Sequence, residues 1–276
     1  MEKKIHYASI IIDDPLLREN YGFLNFQKLL NLMDKHNFFT TIAFIPFNFN
    51  RTDKKIATLF RERQDRFGLC VHGCDHSKGE FGKTDCNYLD KKVRLATARM
   101  IEHEKRTGIP FDKIMVFPQG IFSNEALEVL KKNNYWAAIN TEAIPVNGCI
   151  SSDFPFFLRY NPDEVIDNFA SPIFITLHHD FFKDGYGKIV DLIEILKARY
   201  KNIRWGSVGN IIRNYVTTCE IDDIGNIDLS GFKCNGFLNN LKIHLRRYAS
   251  EYRDDHLCKN DSLLYYAERI KKKYFK

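Results

Sequence analysis

The chain has 276 residues, 44% of them hydrophobic, which is enough for one sizeable core, and a formal net charge of +6. Two aspartates cut the first apolar run, which argues against a signal h-region or a membrane span there. Seven cysteines, odd in number and scattered from Cys70 to Cys258, argue against a disulfide framework, so a cytoplasmic, reduced protein is expected.

Strands and helices alternate along the first two hundred residues. A strand over 7–12 leads into a helix over 23–36, where Phe23, Phe26, Leu29, Leu30 and Met33 recur at helical spacing. The buried run TTIAFIP follows, then a helix for which Thr52 is the N-cap candidate. GLCVH is the third strand, a charged helix spans 90–107, and KIMVFP is the fourth strand. A helix over 124–133 leads to the strand YWAAI, with Trp136 read as core packing. FPFFLRY and PIFITLH are two more strands, KIVDLIEILKARY a helix and NIRW a last short strand. Such alternation argues for parallel β-structure in an α/β barrel or doubly wound sheet.

One domain is expected over 1–215. An appendage is expected over 216–276, made of a small hairpin followed by two basic helices. Residues 237–276 carry ten Lys or Arg against five Asp or Glu, so this tail supplies +5 of the net charge. No zinc-finger, RNP-type or P-loop pattern accompanies it, so no nucleic-acid partner is expected. It is read as a solvated helical face and a candidate peripheral contact with an anionic membrane.

In parallel α/β folds chemistry gathers where strands end. Here those positions hold Asp13 and Asp14, His72, the run from Pro118 to Gly120, and His178 with His179. The stretch GLCVHGCDHSKGEF also places Cys70, His72, Cys74 and His76 at every second position. Residues two apart on a strand lie side by side and cannot wrap an ion as CxxC knuckles do, so a structural zinc site is disfavoured. Cys70 reads as a small buried hydrophobe and Cys74 as loop packing. His72 and His76, four apart across a turn that Gly73 can bend, can converge on one cation. The adjacent carboxylates of Asp13 and Asp14 would repel each other unless a cation or a shared proton relieved them, although DDP also suits an N-cap or turn. Two histidines and one carboxylate leave coordination positions open for substrate and water. Asp13 is placed to take a proton from water, and His178 or His179 to protonate a leaving amine.

In order, IIIDD, HGCDH, FPQG and TLHHD resemble the motif series of the NodB-type polysaccharide deacetylases, carbohydrate esterase family 4, over about residues 5–210. The resemblance implies a distorted (β/α)7 barrel, one divalent ion, most often Zn2+, and hydrolysis of acetyl groups from sugars. By the same resemblance Asp14, His72 and His76 are the metal ligands and Asp13 the general base. The backbone N–H of Gln119, after Pro118, borders the oxyanion, and His178 or His179 is the general acid. Position follows the apolar strand for His178, while the following Asp180 favours His179.

Two departures stand out. Val116 and Phe117 occupy the places of an arginine and a proline, so the partner that orients the base is missing or comes from elsewhere. No acidic-and-Trp pattern of the fourth motif is present around AINTEAIP, and Glu80 is either a supporting acid or a solvated loop charge. The expected function is a metal-dependent carbohydrate deacetylase in surface-polysaccharide biosynthesis, acting on an amino sugar or a lipid- or nucleotide-linked glycan precursor. Two other readings of the same residues are a non-haem iron enzyme with a two-His-one-carboxylate site and a non-catalytic glycan-binding barrel.

Overall fold

The computed structural model describes residues 5–164 and 172–215. The expected hairpin and basic helices of 216–276 lie outside the described residues. Seven strands form the frame: β1 His6–Asp13, β2 Thr40–Phe44, β3 Phe67–His72, β4 Asp112–Val116, β5 Ala137–Asn140, β6 Phe156–Leu158 and β7 Ile173–Leu177. Each pairs in parallel with the next from β1 to β6, and β7 returns to pair with β1. Between β6 and β7 the ring is joined at Tyr160, which donates from its N–H to Phe174 O (2.8 Å) and accepts at its carbonyl from Thr176 N (2.9 Å). A short eighth strand, β8 Ile203–Trp205, runs parallel to the opening residues of β1. This is the distorted (β/α) barrel that the sequence led us to expect.

Helices α1 Phe26–His36, α2 Lys54–Glu62, α3 Cys86–Thr107 and α4 Asn124–Lys132 follow β1 to β4 in turn, and α5 Gly187–Arg199 follows β7. Their ends have local causes. The Asn25 side chain accepts from Lys28 N–H at 2.8 Å to start α1, Asp85 caps α3 by accepting from Asn87 and Tyr88, and Gly108 at φ 70° stops α3.

Several boundaries differ from the sequence reading. The first helix begins at Phe26 instead of 23, because Asn20–Tyr21 and Leu24–Asn25 pair as a small antiparallel hairpin. Asp53, not Thr52, is the residue before α2, and it makes no side-chain cap; the Thr52 hydroxyl is held by His103 Nε2 at 2.8 Å. The third helix starts four residues earlier than expected, at its Asp85 cap. A short helix, α6 Val208–Arg213, was not foreseen.

Side chains alternate across each strand, so each strand feeds two cores. Outward residues such as Ile10, Ile12, Ile42, Phe44, Leu69, Val71 and Met115 pack against the helices. Inward residues Ile11, Ala43, Cys70, Ile114, Ala137 and Phe174 form a smaller cluster that α6 stoppers with Val208, Ile211 and Ile212. Phe157 packs against the same cluster. Extending this parity two residues toward the strand ends gives Asp13 above Ile11, His72 above Cys70, Arg159 above Phe157, and Thr176 then His178 above Phe174. Polar chemistry therefore begins where the inner apolar layer stops. No helix among the described residues is long and apolar enough to cross a membrane.

Candidate active site

A cleft at the C-terminal ends of the strands is lined by Asp13, Asp14, His72, His76, Gln119, Gly120, Thr141, Arg159, Asn161, Thr176 and His178. Asp14 follows the last residue of β1 with φ 74°, a left-handed backbone that turns its carboxylate away from the course of the strand. His72 ends β3, and His76 lies beyond Gly73 at φ 54°. Of five non-glycine residues with positive φ among the described residues, Asp14, His76 and Gln119 all belong to this cleft. Such conformations persist only where the surroundings enforce them, and they concentrate at functional sites.

Asp14 Oδ1 stands 3.1 Å from His76 Nε2 and 3.4 Å from His72 Nε2, and the three donor atoms lie within 4.8 Å of one another. Donors on a tetrahedral ion with bonds of about 2.0–2.1 Å are separated by about 3.3 Å, so this oxygen and these two nitrogens fit a common divalent ion. His72 Nδ1 lies 3.0 Å from Val116 O. A proton on Nδ1 makes that hydrogen bond and leaves the Nε2 lone pair facing Asp14, the tautomer a metal ligand needs. Gln119 reaches the second histidine, with its side-chain amide nitrogen 3.2 Å from His76 Nδ1 while its Oε1 accepts from Gly79 N–H at 3.2 Å.

Asp13 lies beside this set, only 2% exposed. Its Oδ1 accepts from Arg159 Nη1 at 2.7 Å, and its Oδ2 is 3.8 Å from His178 Nε2. Burial pushes the Asp13 carboxyl up, but the Arg159 guanidinium, His72 and His178 together hold it below the ordinary carboxylate range. His72 is itself buried, which disfavours its charged form, yet the carboxylates of Asp13 and Asp14 bring it above the usual imidazole value.

Of the remaining expected residues, Pro118 is buried and Gln119 is exposed at the cleft rim. His178 and His179 part company. His178 is half exposed and faces Asp13, whereas His179 turns the other way and stacks on Phe23 (6.1 Å) and edge-on against Tyr21 (5.3 Å). Trp136 packs at the edge of the inner core beneath the Arg213 guanidinium, 4.4 Å from its ring centre. Glu80 is not a solvated charge: it is buried and accepts hydrogen bonds from the loop that carries His76.

Sequence reasoning missed Arg159, Thr176 and Asn140. Arg159 could have been found by its parity with Phe157 in FPFFLRY. Asn140, fully buried at the end of β5, donates from Nδ2 to the carbonyls of Gly120 (2.9 Å) and Glu142 (3.0 Å), fixing the turn after Gln119. A larger cavity lies at the opposite end of the barrel, near Phe39, Trp136 and Ser207. Its half-buried Asp112, pushed up to about 6 by desolvation, is tied to α6 through Gly209 N–H at 3.0 Å, so that carboxylate has a structural task.

The barrel and the cleft at its strand ends define the chain as having the fold of the CE4, or NodB-type, polysaccharide deacetylases. The crystal structure of a putative polysaccharide deacetylase from Mycobacterium smegmatis superposes with a TM-score of 0.53 at 13% identity, covering 78% of this chain and 91% of that one. A family 4 carbohydrate esterase from Streptomyces lividans, in complex with acetate, matches at TM-score 0.47 and 13% identity over 74% and 93% of the two chains. A CE4 family pseudoenzyme from Bacillus anthracis matches at 0.49 and 10% over 76% and 66%. No protein-family model and no curated protein matches the sequence.

Proposed function

We propose that the protein is a metal-dependent hydrolase that removes an acyl group, most simply acetyl, from an amino sugar or glycan precursor. The observation that carries this reading is the convergence of Asp14, His72 and His76 with Asp13 and His178 on one side of them. Asp14, His72 and His76 would hold one divalent ion, Zn2+ by the nature of the donors, and that ion would supply carbonyl polarisation and acidify a water. Asp13, kept ionised by Arg159, accepts the proton of the attacking water. Arg159 thus takes the place of the arginine that Val116 does not provide. His178, on the same side, donates a proton to the leaving nitrogen as the C–N bond breaks, so acetate and a free amine result. The Gln119 backbone N–H, in a turn shaped by Pro118 and Asn140, borders the carbonyl oxygen. His179, turned into the aromatic hairpin, serves as packing.

A substrate carried on a lipid or a nucleotide, met in the cytoplasm with the basic tail as a membrane contact, is the corresponding proposal for the cell. The test is acetate release from a panel of N- and O-acetylated amino sugars, with the metal-stripped and the zinc-reconstituted protein. Release that needs the metal and disappears in Asp13→Asn supports the reading. Turnover that consumes oxygen would assign the same three residues to an iron enzyme instead, and a metal-loaded protein that binds glycans without releasing acetate would make it a binding barrel.

A further inference from the structure

We infer that Glu80 is a positioning residue for the metal-binding loop, and sets the affinity of the proposed ion site without touching the ion. The inference rests on the metal site proposed above.

The loop between His72 and His76 has a geometric difficulty. Both imidazoles must reach the Asp14 carboxylate from a chain that reverses within three residues. Gly73 at φ 64° begins that reversal, and His76 at φ 54° ends it in a conformation that side chains with a Cβ rarely adopt. Something must hold the turn together before any ion arrives.

Glu80 fills the inside of the turn. Its Oε1 accepts from the N–H groups of Cys74 (2.9 Å) and His76 (3.0 Å), and its Oε2 accepts from Asp75 N–H (3.1 Å) and the Ser77 hydroxyl (3.2 Å). Three successive backbone amides thus point at one carboxylate, the concave arrangement in which backbone dipoles bind an anion. A carboxylate whose side chain is 0% exposed is costly unless it is so satisfied. Gly73 completes the fit, because a side chain there would collide with the Glu80 carboxylate and the Pro118 ring.

The charges behind the loop balance. Asp75, between the two ligands, turns its carboxylate away from the cleft to Arg99 Nη1 at 2.6 Å and to Lys92. Lys92 Nζ also lies 4.0 Å from Glu80 Oε2, so two anions and two cations form one cluster under the turn, buried except at the partly exposed Lys92. Its members come from the loop and from α3, which ties His76 to a long helix instead of leaving it on a free loop.

Partners that orient a metal ligand typically alter metal affinity about 10- to 100-fold when mutated. Glu80→Gln keeps the size but turns an amide NH2 toward N–H groups that need an acceptor. In the full chain, stripped of metal and titrated with Zn2+ against a chromophoric chelator, this variant is expected to bind about 10- to 100-fold more weakly than wild type, with the near-UV circular dichroism of the metal-free protein unchanged. Zn2+ affinity within threefold of wild type overturns the inference while leaving the metal site standing; a wild-type protein that binds no Zn2+ overturns both. Should Glu80→Gln not fold, hydrogen exchange of the metal-free wild type carries the test. The amides of Cys74, Asp75 and His76 are expected to be protected before metal is added, and exchange at the rate of an open loop overturns the inference.

Discussion

The two halves of the candidate site are built differently. The proposed ligand half takes Asp14 from just after β1, His72 from the end of β3 and His76 from the short loop beyond it, so its histidines are four residues apart. The proton-transfer half joins Asp13 to Arg159 across 146 residues and to His178 from a third strand end. Local geometry can be written in a short motif, whereas long-range geometry depends on the barrel closing in register, through the join at Tyr160 immediately after Arg159. A barrel distorted at that seam would lose the Arg159 contact while keeping the ligand cluster.

If the halves are separable, removing the base should silence the chemistry and spare the metal. Asp13→Asn is expected to lower kcat by about 10²–10⁴-fold with Zn2+ affinity within a fewfold of wild type. Loss of Zn2+ binding in that variant would join the halves and break the comparison. Arg159→Met should lower kcat by about 10²-fold, because a buried Asp13 without its guanidinium partner favours the neutral acid, which cannot accept a proton. The double variant Asp13→Asn with Arg159→Met should be no worse than Asp13→Asn alone, since Arg159 acts through Asp13; additive losses would give Arg159 a separate task.

The two neighbouring histidines sharpen the contrast further. His178→Ala is expected to cost on the order of 10² in kcat, with little change in melting temperature. His179→Ala should leave kcat within about threefold and cost about 1 kcal/mol of stability through the lost contacts with Tyr21 and Phe23. The reverse pattern would move the proton donor to His179.

The smallest effect concerns a group outside both halves. His103, buried against Thr52 and Phe44, is pulled from 6.5 down to about 4 by burial and by Arg106. A depressed folded pKa means that the unfolded chain binds the proton first. The stabilising contribution is therefore complete above pH 6.5 and is lost as pH falls through about 4. Asp112, raised from 3.8 to about 6 by burial, works in the opposite sense: its contribution is complete below pH 3.8 and is lost as pH rises through about 6. In thermal melts the margin between wild type and His103→Gln should widen by on the order of a few degrees from pH 4 to 6.5 and then level off. A margin independent of pH would show that His103 is not held neutral.

What could be read in the sequence follows the same division. The barrel was legible because apolar runs and amphipathic runs alternate over two hundred residues, and the meeting of Asp14, His72 and His76 because they sit at or just beyond strand ends. Arg159 was hidden because a lone arginine in FFLRY carries no motif; only the inward parity of Phe157 betrays it, and parity needs the strand boundaries. His178 and His179 were indistinguishable for the same reason, until Phe174 and Thr176 fixed which side of β7 faces inward. Glu80 resembled a loop charge because its partners are backbone amides, which no sequence displays. Thr52 looked like a cap, but His103, fifty-one residues away, claims its hydroxyl.

The central claim is that one divalent ion is shared by Asp14, His72 and His76, with Asp13 kept back for the proton. Anomalous scattering at the zinc edge from crystals grown with Zn2+ tests it most directly. The account predicts one strong peak within bonding distance of an Asp14 carboxylate oxygen and of Nε2 of both histidines, with Asp13 still bound to Arg159. A peak on Asp13 instead of Asp14, or none between the two imidazoles, would contradict it.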